Sequence, residues 1–269
     1  MWHALAAAAS QETSMKLNDK VVLITGAGRG LGAATARAFA REGAVVIVNY
    51  LQNTQAAEQV VADCKQAGGQ AWAMQADVTD AVAVQDMVSE IVLETGRIDV
   101  LVNNAFAPYR FDPDTRLRFT QLGWEACQRQ FEGAVKSAWQ TSQAVVPHMQ
   151  RQAGGSIINI STDLTEQAVV PYPDYATGKA ALQGLSRQMA ADLGQYGIRV
   201  NCVAPGLVWP TDASRDTRAS IRQQIIAQTP LRRVATPEDI TGPILFLASA
   251  YSQFMTGQVI YVDGGLLMR

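Results

Sequence analysis

Residues 21–32 read Val-Val-Leu-Ile-Thr-Gly-Ala-Gly-Arg-Gly-Leu-Gly, and residues 33–40 continue AATARAFA. The run Val21–Thr25 is apolar and β-branched, the composition of a strand buried on both faces. Glycines at 26, 28, 30 and 32 let the chain turn sharply, and the small residues beyond them suit a helix packed close to its neighbours. A strand that runs through such a loop into a helix can take a pyrophosphate. The backbone approaches the ligand, and the helix N-terminus supplies amides and positive potential. A glycine cluster alone also fits a plain tight turn, so the weight rests on its place at the first junction of a longer alternation.

That alternation runs the length of the chain. Further strand-like runs are Val45–Val48, Ala71–Gln75, Ile98–Val102, Ser156–Ile160, Ile198–Val203 and Val259–Val262. Helical patterns fall near 30–42, 54–67, 80–95, 121–152, 174–196, 215–228 and 237–249, the last opening with Thr236 as N-cap and Pro237 in the first turn. Strand–helix alternation of this kind predicts an α/β fold: a Rossmann-type, doubly wound parallel sheet of about seven strands with helices on both faces. Residues 15–269 carry no repeat or linker and read as one domain. Residues 1–14, MWHALAAAASQETS, read as a disordered tail or an extension from an upstream start.

Composition narrows the function. Of 269 residues, 48% are apolar and 17% charged, enough for a large core. The net charge of −2 argues against nucleic-acid binding, which needs a basic surface. No apolar run is long enough to predict a transmembrane helix. The three cysteines, Cys64, Cys127 and Cys202, are widely spaced, which disfavours disulfides or a cysteine zinc site and makes a reducing, cytoplasmic setting the expectation. The two histidines, His3 and His148, leave little material for metal hydrolysis or a Ser-His-Asp triad. No metal is expected.

The second strand ends Val48-Asn49-Tyr50, without the acidic residue that would bind a ribose 2′-hydroxyl and favour NAD. Arg29 in the glycine loop can meet a 2′-phosphate, so NADP(H) is expected over NAD(H); the alternative for Arg29 is a solvated surface charge. Further on, Tyr175 and Lys179 stand one helical turn apart and can converge on one ligand. Reduction of a ketone needs an acid at the carbonyl oxygen. A free phenol titrates near 10; a nearby ammonium favours the phenolate and brings the group toward neutrality. The strand before this helix ends in hydroxyls, Ser161 and Thr162, and one of them can steady the oxygen as charge develops. Alternation along a strand lets only one face the substrate, and Thr162 is preferred.

With these residues in place the chain resembles the classical short-chain dehydrogenase/reductase family over about residues 16–269. The motifs, in order, are TGAGRGLG (25–32), DV (77–78), NNA (103–105), INIST (158–162), YATGK (175–179), NCVAPG (201–206) and VDGG (262–265). Thr236–Gly265 looks most like the 3-oxoacyl-(acyl-carrier-protein) reductase branch. The resemblance implies that Gly26, Gly30 and Gly32 hold the pyrophosphate, and Arg29 and Leu31 of the same loop are counted among the cofactor-binding residues. Asn49, Asp77 and Val78 would lie toward the adenosine, Asn104 and Ala105 at its ribose, and Pro205, Gly206 and Val208 at the nicotinamide. It implies Tyr175 as acid/base, Lys179 as ribose ligand and tuner of the tyrosine, and Thr162 in place of the usual serine. A homo-oligomer, tetramer or dimer, is implied, with the helix of Tyr175 and the long helix before it at interfaces.

The departures matter. The family's asparagine in the long helix falls at Ala134, so Gln130, Lys136 or a different path must serve the proton relay it is thought to support. NNAF replaces NNAG, and the segment Phe106–Gly123 is lengthened, so Phe106, Tyr109 and Phe111 either face the substrate or pack under a loop. Trp209 to Arg233 would form a lid, with Arg215–Arg218 as its solvated helix. Tyr196 stands where carrier-protein reductases have a basic residue, which weakens a carrier-protein docking site. The expected activity is NADP-dependent hydride transfer between nicotinamide and a small carbonyl or alcohol substrate, first a 3-oxoacyl thioester, second a small ketone, sugar or polyol. The competing reading is a dinucleotide-binding regulatory subunit without turnover, suggested by Ala134 and the altered hydroxyl.

Overall fold

The computed structural model describes residues 17–268. The expectation for residues 1–14 lies outside these. Seven strands form one sheet in the order β3-β2-β1-β4-β5-β6-β7. They are β1 (Val21–Ile24), β2 (Val45–Tyr50), β3 (Gln70–Gln75), β4 (Val100–Asn103), β5 (Gly155–Ile160), β6 (Ile198–Pro205) and β7 (Val259–Val262). Every pairing is parallel. Parallel neighbours need crossover connections, and the helices supply them: α1 (Gly30–Arg41), α2 (Thr54–Gln66), α3 (Ala81–Thr95), α4 (Trp124–Phe131), α5 (Ser137–Arg151), α6 (Pro173–Leu193), α7 (Ala219–Gln228) and α8 (Pro237–Ala248).

Both faces of the sheet are covered, so the strands need apolar residues at every position. Val22 and Ile24 point to one layer, with Phe39, Val46, Val48, Ile240 and Ile244. Val21 and Leu23 point to the other, with Ile47, Ile91, Leu101, Met149 and Ile157. Each large apolar side chain buried in this way contributes roughly 1.5–3 kcal/mol. The helix ends follow local chemistry. Asn53 and Asp80 cap α2 and α3 through their side-chain oxygens. At α8 the Asp239 carboxylate accepts from the Thr236 backbone N–H at 2.8 Å.

One expectation is refined and one corrected. The stretch 121–152 is helical from Trp124 to Arg151, with a π-helical segment, Glu132–Lys136, between α4 and α5. Gly133 in that segment lies so close to Ala107 that an added Cβ would sit 2.4 Å from its backbone nitrogen. The segment 215–218 is not helical, and α7 begins only at Ala219. Its charges are tied elsewhere, Arg215 to Asp212 at 2.5 Å, Arg218 to Asp114 at 2.7 Å and Asp216 to Arg110 at 3.8 Å. Among the described residues no helix is long and apolar enough to cross a membrane, and no cluster of three or more His, Cys, Asp or Glu gathers as a metal site.

Candidate active site

The strand order reverses direction between β1 and β4, and ligands of open α/β sheets bind at the carboxyl ends of strands at such a point. A cleft of about 1010 Å³ opens there. Its floor at one end is the glycine loop. Gly26 and Gly30 have φ of +61° and +53°, a conformation that other residues adopt only with strain. Gly32 has no room for a side chain: a Cβ would lie 2.6 Å from Asn104 Nδ2 and 2.7 Å from the Gly26 carbonyl oxygen.

Buried amides hold this loop in shape. Asn49 is 2% exposed; its Oδ1 accepts from Gly26 N at 3.2 Å, and its Nδ2 donates to the Met74 and Ala76 carbonyls. Its carboxamide is thus used on the protein, and it sits beneath the loop. Asn104 Nδ2 donates to the carbonyls of Thr25 and Gly26 at 2.9 and 3.1 Å. Thr25, which sequence reasoning passed over as strand, accepts from the N–H groups of Asn104 and Ala105 at 3.0 Å each. Asp77 binds its own turn through Thr79, with Val78 beside it on the cleft wall. Leu31, Pro205, Gly206 and Val208 also line the cleft. Arg29 reaches across the mouth to Asp212.

At the other end β5 delivers its two hydroxyls to opposite sides. Ser161 Oγ accepts from Gln183 Nε2 at 2.9 Å, within the packing between sheet and α6. Thr162 lines the cleft beside the Tyr175 phenol, and its Oγ1 accepts from Leu164 N at 3.3 Å. Tyr175 and Lys179, on the first turns of α6, are both buried. Gly178 between them allows α6 to press on α4; a Cβ there would be 3.0 Å from the Gln130 carbonyl oxygen. Lys179 Nζ donates to the Ile160 carbonyl at 2.6 Å.

The aromatic residues of the lengthened β4–α4 loop pack directly on the phenol. Phe111, Tyr109 and Phe106 lie 5.0, 5.1 and 6.1 Å from the Tyr175 ring centre. The Tyr109 hydroxyl donates to Asp174 at 2.8 Å, which pins the loop to α6. This shell dries the site. Burial pushes the Tyr175 phenol well above its usual range, the Asp163 carboxylate pushes it the same way, and the bond from Thr162 opposes them. Burial pulls Lys179 down to about 8. Burial is the largest influence on the phenol here, and the lowering expected from the ammonium together with an oxidised nicotinamide must work against it. Ala134 is buried in the π segment, and Lys136 is exposed.

A glycine cradle at one end of a cleft and a dry phenol–amine pair at the other define a dinucleotide-dependent oxidoreductase. A family model described as enoyl-(acyl carrier protein) reductase matches residues 26–267. The chain is 36% identical over 255 residues to 7alpha-hydroxysteroid dehydrogenase of Escherichia coli, covering 94% of this chain and 96% of that one. It is 36% identical over 251 residues to a 3-oxoacyl-[acyl-carrier-protein] reductase of Staphylococcus aureus, covering 93% and 98%. Among solved structures, a 7 alpha-hydroxysteroid dehydrogenase complexed with NADH and 7-oxo glycochenodeoxycholic acid superposes with a TM-score of 0.85 at 36% identity, covering 94% and 96%. A putative gluconate dehydrogenase from Agrobacterium tumefaciens does so with a TM-score of 0.87 at 30% identity, covering 95% and 99%. The chain belongs to the short-chain dehydrogenase/reductase family, and it is an oxidoreductase of hydroxyl and keto groups.

Proposed function

We infer that this enzyme reduces a ketone, or oxidises the matching secondary alcohol, with NADP(H) in preference to NAD(H). The observation that carries this reading is the convergence of Tyr175, Thr162 and Lys179 at one end of the cleft that the glycine loop floors. The cofactor supplies or accepts the hydride. The glycine cradle fits its pyrophosphate, because the loop presents backbone where any side chain would fill the space. Tyr175 gives its proton to the carbonyl oxygen and takes it back in oxidation. Thr162 donates to the same oxygen and stabilises its growing charge. Lys179, seated on the Ile160 carbonyl, presents its ammonium to the ribose and to the phenol. A dry site strengthens each of these interactions.

The cofactor preference rests on the absence of a carboxylate at Asn49–Tyr50 and on Arg29 at the cleft mouth. For substrate, the first reading is a 3-oxoacyl thioester, in line with the reductase relatives. A bulky cyclic ketone is the second. It is favoured by the apolar wall of Phe106, Phe111, Tyr172, Val169, Ile221 and Ile225 and by the steroid-binding neighbour. Self-association through α4–α6 would cover Phe131 and Trp139, which are 46% and 50% exposed. The test is NADPH and NADH oxidation with acetoacetyl thioesters, cyclic ketones and sugars. Turnover with at least one ketone supports the reading. Tight cofactor binding with no turnover on any would instead support a regulatory dinucleotide-binding subunit.

A further inference from the structure

Asp163 has no part in the mechanism above, yet its carboxyl lies against the reacting groups. It follows Thr162 and is 5% exposed. Its Oδ1 is 3.5 Å from Thr162 Oγ1. Its Oδ2 is 3.1 Å from the point where a side chain on Gly206 would begin, and both residues line the cleft. The titratable groups bearing on it are Asp263, just past β7, and Tyr175 on α6. Asp263 is already committed, accepting from the N–H groups of Gly265 and Leu267 at 2.9 Å each.

A threonine hydroxyl has a single proton to donate. An ionised Asp163 is an acceptor only, and across the 3.5 Å contact it competes with the phenol and the substrate for that proton. A neutral Asp163 is a donor. It can give its own proton to Thr162 Oγ1 and leave the threonine proton free for a substrate oxygen. We propose that Asp163 is a positioning residue that decides where Thr162 donates: toward the substrate carbonyl when the carboxyl is neutral, away from it when ionised. Burial first, and the Asp263 charge second, push the carboxyl up to about 7, so both forms are accessible near neutral pH. The proposal rests on the carbonyl-reductase reading and adds a pH dependence to it.

Two measurements test it. Infrared difference spectra of the protein alone, taken across neutral pH, should show a protonated-carboxyl band that titrates there and is missing in Asp163→Asn. Ketone reduction by the wild type should fall about a hundredfold or more as pH rises through that titration, the scale of losing one oxyanion donor. Asp163→Asn, whose amide donates at every pH, should keep its rate across the range. Asp263→Asn, which removes the repelling charge, should move the fall to lower pH; it serves as the second variant if Asp163→Asn does not fold. Turnover without a titrating carboxyl, or a pH profile unchanged in both variants, overturns the proposal alone. A carboxyl that titrates in a protein that reduces no ketone overturns the functional reading, and the role of Asp163 with it.

Discussion

The Arg29 guanidinium on the glycine loop is paired with the Asp212 carboxylate across the cleft mouth, Nη1 to Oδ2 at 2.7 Å. Both side chains are largely exposed, so the pair itself contributes little, on the order of 0–1 kcal/mol. Its consequence is competition, because the cation assigned to a 2′-phosphate already has an anion. Arg29→Ala should raise KM for NADPH about tenfold or more and leave KM for NADH nearly unchanged. Asp212→Asn should lower KM for NADPH by up to roughly fivefold. Steady-state kinetics with both cofactors decide this, and equal effects of Arg29→Ala on the two would remove Arg29 from phosphate recognition.

Lys179 makes the folded state pH-sensitive. Burial holds it at about 8 against the usual 10.5. Between those values the unfolded chain binds a proton that the folded chain does not, so stability rises with pH through that window. Below about pH 8 the full cost of the buried ammonium is present. Lys179→Met should therefore abolish turnover yet raise stability at pH 7, by roughly 1–3 kcal/mol, and the gain should shrink toward pH 10. Thermal melts at the two pH values check it; a variant less stable than wild type at pH 7 contradicts it.

Gly32 is where the cradle leaves no slack. Two of the three atoms an added Cβ would strike are backbone, the Gly26 oxygen at 2.7 Å and Ala27 Cα at 2.9 Å. Gly32→Ala should cost roughly 1–3 kcal/mol in a denaturant titration. Because relief of the clash must move the loop, the dinucleotide Kd should rise about tenfold or more, read by fluorescence titration. Wild-type affinity would show that the loop does not contact the cofactor.

Phe111 dries Tyr175 from 5.0 Å and also meets the Tyr172 ring at 5.3 Å. Phe111→Ala should admit water and relieve part of the burial that raises the phenol, so the rise of alcohol oxidation with pH should begin at lower pH. For apolar ketones kcat/KM should fall about tenfold or more as a wall of the site is lost. An unmoved rise would mean that the ring does not shield the phenol.

The strands are legible in the sequence because a sheet covered on both faces needs unbroken runs such as Val45–Val48, and few other structures do. The cleft is legible because Gly26, Gly30 and Tyr175–Lys179 act through local spacing. What escapes depends on contacts between distant segments. The π segment at 132–136 arises where Gly133 meets Ala107, and helical periodicity hardly registers one such insertion. The lid charges at 215–218 are exposed, as expected, but they stand on a turn rather than a helix and pair with Asp212, Asp114 and Arg110. Asn49 at a strand end lines the cleft, and the sequence does not show that its carboxamide also binds Gly26, Met74 and Ala76. Asp163 matters through Asp263, a hundred positions away.

The most direct test of the central claim is NADPH oxidation with a ketone substrate by wild type and Tyr175→Phe, paired with cofactor titration of both. The account predicts that the variant binds NADPH within about twofold of wild type and loses turnover by a thousandfold or more, on the order of losing the group that protonates the oxygen. Equal turnover in the two proteins would contradict it.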